Sequence, residues 1–70
     1  MKYTVEITSV PDRKKLVAEI WNNDQMIAEV NQENGELNVE FYFQINEESI
    51  ALNYYALIDA LEIAKKRLLE

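Results

Sequence analysis

Polar and apolar residues alternate strictly from Lys2 to Thr8: Tyr3, Val5 and Ile7 are apolar, and Lys2, Thr4, Glu6 and Thr8 are polar. A period of two in a β-branched and aromatic stretch predicts a strand with one buried face. Val10-Pro11-Asp12-Arg13-Lys14 interrupts it, because proline presets a turn and donates nothing to a sheet ladder. Further strands are predicted over Leu16 to Trp21, Met26 to Asn31 and Leu37 to Phe43. Asn22-Asn23-Asp24-Gln25 and Glu33-Asn34-Gly35-Glu36 separate them. Asn34-Gly35 is the clearest hairpin signal, since both residues accept the positive φ of a type I′ turn.

Gln44 to Glu48 reads as a turn, and Ser49 to Leu52 suits either a short extended piece or a first helical turn. From Asn53 the period changes to 3.6, with Tyr54, Leu57, Ile58, Leu61, Ala64 and Leu68 on one stripe. Asn53 suits an N-cap. Lys65, Lys66 and Arg67 fall where cations complement the helix dipole, and Glu62 and Lys66 form an i,i+4 pair. The chain therefore predicts an α+β fold: a four-stranded antiparallel meander with one C-terminal helix packed across one face.

Parity along the strands tests the register. A turn at Asn34-Gly35 pairs Val30 with Val39, Ala28 with Phe41 and Met26 with Phe43. A turn at Asp12-Arg13 sets Ile7 by Ala18 and Val5 by Ile20. Between the second and third strands, a two-residue loop pairs Ile20 with Ile27 and sets Ala28 beside Glu19. A three-residue loop, Asn22 to Asp24, pairs Ile20 with Met26, Ala18 with Ala28 and Leu16 with Val30. The second choice keeps the apolar set together and is preferred. The helix-facing side is then Tyr3, Val5, Ile7, Leu16, Ala18, Ile20, Met26, Ala28, Val30, Leu37, Val39, Phe41 and Phe43.

The other face presents Thr4, Glu6, Thr8, Val17, Glu19, Trp21, Ile27, Glu29, Asn31, Asn38, Glu40 and Tyr42. Glu6 lies opposite Glu19 and Glu29 opposite Glu40, a placement that disfavours the sheet. An acidic field beside aromatic anchors marks Glu19, Trp21, Ile27, Glu29, Glu40 and Tyr42 as candidate partner-binding residues, with Val17 extending the patch. An antiparallel sheet with one wetted face is the alternative reading.

Composition narrows the function. Seventy residues make one small domain with a thin stability margin. Neither cysteine nor histidine is present, which excludes disulfides, thiol chemistry and imidazole metal sites. Thirteen acidic against seven basic side chains give a net charge of −6. That charge disfavours nucleic-acid binding, which relies on Lys and Arg. Met1 leads directly into a strand and no apolar run is long enough for a membrane, so a cytoplasmic protein is expected. Gly35 is the sole glycine, so there is no phosphate-cradling loop, and no nucleophile–base set is present. Asn22-Asn23-Asp24 and Asn46-Glu47-Glu48 lack the alternating oxygen ligands of a calcium loop. Paired carboxylates on a wetted face lack the desolvation that acid–base work needs. A non-catalytic chain without cofactors or metals is expected.

Ser9-Val10-Pro11-Asp12-Arg13-Lys14-Lys15-Leu16-Val17-Ala18-Glu19-Ile20-Trp21 and Ile27-Ala28-Glu29-Val30-Asn31-Gln32-Glu33 resemble a group of small stand-alone bacterial proteins, the partners of radical-SAM spliceases. Leu61-Glu62-Ile63-Ala64-Lys65-Lys66-Arg67-Leu68 is similar to theirs as well. Spliceases excise a tyramine unit from ribosomally made precursor peptides. The resemblance implies an accessory protein that helps such an enzyme engage its precursor, with the iron–sulfur and S-adenosylmethionine chemistry in the enzyme. Two other readings stay open. One is an inhibitor or immunity-type protein masking a basic surface, and the other is a homodimer joined through the same face.

Overall fold

The computed structural model describes residues 1–42 and 49–70. Four antiparallel strands, β1 (Thr4–Thr8), β2 (Val17–Asn22), β3 (Gln25–Asn31) and β4 (Asn38–Phe41), pair in chain order, and one helix, α1 (Tyr54–Leu69), packs on one face. The α+β architecture is as expected. The expectations for Phe43 and for a turn over Gln44 to Glu48 lie outside the described residues. Ser49 to Leu52 are neither strand nor helix.

Two of the three registers follow the sequence reading. β1 meets β2 with Val5 opposite Ile20 and Ile7 opposite Ala18. β3 meets β4 with Val30 opposite Val39 and Ala28 opposite Phe41. Their hairpin turns at Asn34 (φ 61) and Gly35 (φ 75), the paired positive φ values that Asn-Gly accommodates. Asn38 Nδ2 ties off this turn by donating to the carbonyls of Glu33 and Glu36.

The β2–β3 register differs from expectation. Asn22 pairs with Gln25 and Trp21 with Met26, so the loop has two residues, Asn23 and Asp24, and Asn23 takes a left-handed φ of 56. Beyond Trp21 the ladder shifts, and Ile20 faces Ala28 while Ala18 faces Val30. Ile27 is the extra residue of a β-bulge. The bulge restores the apolar parity that an unbroken two-residue hairpin would lose. It also reverses two expected placements. Met26 stands opposite Trp21, away from the core ladder, and Ile27 joins the core at 4% exposure.

The core forms where α1 meets the inner sheet face. Ala56, Ala60 and Ala64 are its buried residues, and Leu57, Leu61 and Leu68 flank them. They meet Ala18 and Ala28, both fully buried, so small side chains on both layers permit close approach. The expected stripe is thereby corrected: Tyr54 and Ile58 are exposed, and Ala56 and Ala60, two positions on, take their place. Leu16, expected inside, precedes β2 and is exposed.

Polar contacts at both ends fix the helix in place. Asn53 caps it, its Oδ1 accepting from Ala56 N at 2.9 Å, and its own N–H donates to the buried Tyr3 hydroxyl at 3.0 Å. At the other end Arg67 Nη1 donates to the Val5 carbonyl at 3.1 Å, so this cation does more than complement the dipole. Among the described residues no helix is long and apolar enough to cross a membrane.

Candidate binding face

The bulge aligns four carboxylates. Glu6 pairs with Glu19, Glu19 with Glu29 and Glu29 with Glu40, so one glutamate from every strand stands in a single row across the outer face. Neighbouring strands lie about 4.8 Å apart, and like charges directly opposite one another oppose sheet formation. The chain therefore has to offset a repulsion that its own pairing creates.

At Glu29 and Glu40 the offset comes from the connection between β1 and β2. Arg13, from the segment that includes Pro11, reaches back over the sheet. Its Nε donates to Glu29 Oε2 at 3.2 Å, and its Nη2 lies 3.0 Å from the same oxygen. Nη2 also donates to Glu40 Oε2 at 2.6 Å. Desolvation lowers the Arg13 pKa, but attraction to Glu29 and then Glu40 outweighs it and holds the group above its ordinary value. Asn31 Nδ2 adds a 2.9 Å hydrogen bond to Glu29 Oε2, and the Tyr42 hydroxyl donates to Glu40 Oε2 at 3.0 Å. Burial, reinforced by that bond to Glu40, raises the Tyr42 pKa, so the phenol stays a donor.

The other half of the row is bare by comparison. Glu19 accepts a 3.3 Å hydrogen bond from Trp21 Nε1, and Glu6 is exposed. Neither carboxylate forms an ion pair with a described residue. Alongside the glutamates runs a second row, with Thr4 opposite Trp21, Trp21 opposite Met26, and Tyr42 held to the bulge by its N–H donating to the Ile27 carbonyl at 2.9 Å. Trp21 and Met26 are half-buried and Tyr42 is exposed. The β1–β2 end of the outer face thus carries two carboxylates without a cation from any described residue, beside the Trp21 indole. The Met26 thioether and the Tyr42 phenol continue the second row towards β4.

Of the six residues picked from sequence, Glu19, Trp21, Glu40 and Tyr42 come together on this accessible surface. Glu29 lies on the same face but is buried among Arg13 and Asn31. Ile27 is removed from the site by the bulge, because its side chain packs in the core. Val17, expected in the apolar patch, is 1% exposed and unavailable to a partner. Sequence reasoning missed Arg13 and Met26 as members of the surface, and it placed Glu6 on this face without counting it among the partner-binding residues. The opposed glutamates were the available signal for Arg13, since a buried carboxylate calls for a cation.

The carboxylates are strung along the sheet rather than gathered. Among the described residues no three acidic side chains converge as metal ligands would. No family model, curated protein or solved structure matches the chain.

Proposed function

We propose that the chain is a non-catalytic module that binds a protein or peptide partner through its outer sheet face. The observation that carries this reading is the glutamate row, neutralised by Arg13 at Glu29 and Glu40 and left without a cation at Glu6 and Glu19, next to Trp21. The partner presents a basic side chain to Glu6 and Glu19 and an apolar group to Trp21, Met26 and Tyr42. The resemblance to splicease partners supplies a specific setting. The chain assists a cytoplasmic radical-SAM enzyme in engaging its precursor peptide, and all redox chemistry stays in that enzyme. Arg13, Glu19, Trp21 and Glu29 all lie in the stretches that carry the resemblance, and on this surface they stand together.

Co-purification with a splicease and precursor encoded beside this gene tests the proposal. Trp21→Ala and Glu19→Lys should keep the native circular dichroism spectrum. Each should weaken capture by about 2 kcal/mol or more, roughly 30-fold, as expected of an aromatic or charged anchor. Undiminished capture in both variants contradicts the binding face. A neighbouring toxin gene in place of a splicease would instead support masking of a basic surface by the same residues.

A further inference from the structure

α1 buries one side and leaves the opposite side bare. At about 3.6 residues per turn, Tyr55, Ile58, Glu62, Lys65 and Leu69 fall together on the side diametrically opposite the buried Ala60. All five are exposed, Tyr55 at 81%, Ile58 at 44% and Leu69 at 58%, so three large apolar side chains face water. The Tyr54 ring meets Tyr55 edge-on, centroids 5.2 Å apart, and enlarges the apolar group at that end. Glu62 and Lys66, the i,i+4 pair expected from sequence, form no ion pair, and neither does Lys65. Among the described residues every ion pair belongs to Arg13.

Spacings of three and four residues make these five positions a heptad seam. Tyr55, Glu62 and Leu69 form one row of it, and Ile58 and Lys65 form the other. Two such seams running antiparallel pair each row with the opposite row of the partner. The layers then read Ile58 against Leu69, Glu62 against Lys65, Lys65 against Glu62, and Leu69 against Ile58. Asp59 and Lys66, which flank the seam on one side, stand opposite each other as well. Every layer is apolar on apolar or acid on base. A parallel pair would instead set Glu62 on Glu62 and Lys65 on Lys65.

We propose that the exposed side of α1 is a self-association surface, on which a second copy of this chain packs its own α1 antiparallel. Charge selects this occupant. The whole chain carries −6, but this side of α1 balances Asp59 and Glu62 against Lys65 and Lys66, in an order complementary to its own reverse. The glutamate row lies on the far side of each sheet, more than a Debye length of about 8 Å from the partner copy, so its repulsion is screened. The dimer is layered sheet, helix, helix, sheet, and it leaves the Trp21 face of both copies free. The inference does not rest on that face, so either can fail without the other. Four layers make a small, transient contact, with a Kd on the order of 100 μM. At a concentration of about 1 μM the chain is therefore a monomer and Ile58 faces water.

Sedimentation velocity from about 1 μM to about 1 mM tests the proposal, and the mass should rise from monomer towards dimer across that range. Glu62→Lys sets lysine on lysine in both central layers, and Lys65→Glu sets glutamate on glutamate. Either alone should weaken dimerisation roughly tenfold or more. An equimolar mixture of the two variants should restore it, because each central layer again joins acid to base. Both positions are exposed, so the native circular dichroism spectrum should be kept. A constant monomer mass, a dimer unaffected by Glu62→Lys, or a mixture no tighter than the single variants overturns the proposal. A dimer lost in Trp21→Ala but kept in Glu62→Lys overturns it too, by giving self-association to the outer sheet face.

Discussion

Ile20→Ala should cost about 2–5 kcal/mol of folding stability, the usual range for truncating a buried isoleucine. Among the described residues Ile20 is the largest fully buried side chain, and it sits between Val5 and Ala28 in the ladder, at the edge of the bulge. A domain of seventy residues has roughly 4–10 kcal/mol in total, so this single change removes a large share of it. Urea unfolding should show a lower midpoint at an unchanged slope. A loss below about 1 kcal/mol would mean that the core is centred elsewhere.

Ala60→Leu should be the second large effect, at about 1–3 kcal/mol, because added methylenes force the helix off the sheet. Ala60 is almost fully buried between the two layers. Ile58→Ala provides the contrast. Ile58 is an exposed residue of the same helix, and its truncation should change stability by no more than about 0.5 kcal/mol. The same unfolding measurement checks both. The reverse order, with Ile58→Ala the costlier change, would place the buried line of α1 on Tyr54 and Ile58 instead of on the alanines.

That contrast shows where the sequence was legible. Leu57, Leu61, Ala64 and Leu68 announced the helix and its approximate buried side, but Ala56 and Ala60 carry too little hydrophobic signal to define its closest line of approach. The Asn34-Gly35 hairpin was fully readable, because turn chemistry and alternation agreed there. For the β2–β3 hairpin they disagreed. Parity alone cannot separate two registers that differ by two residues, since both put Ala18, Ile20, Ala28 and Val30 on one face. A bulge at Ile27 satisfies the two-residue turn and the apolar parity together.

The candidate site inherited that ambiguity. With the expected register Glu19 would face Ile27, and no continuous acidic row would exist. With the observed one Glu19 faces Glu29, and the row spans the sheet. Arg13 was hidden for a different reason. Its role depends on where an irregular connection lies over the sheet, and neither alternation nor turn preference encodes that path.

Arg13 neutralises one half of the four-glutamate row and leaves the other half open. Double-mutant cycles on folding stability test this most directly, because they isolate pairwise terms. Arg13→Gln should couple favourably to Glu29→Gln and to Glu40→Gln, and should show no coupling to Glu6→Gln. Glu6→Gln alone should raise stability by relieving repulsion opposite Glu19. Equal coupling of Arg13 to Glu6, Glu29 and Glu40, or none to any of them, would contradict the account.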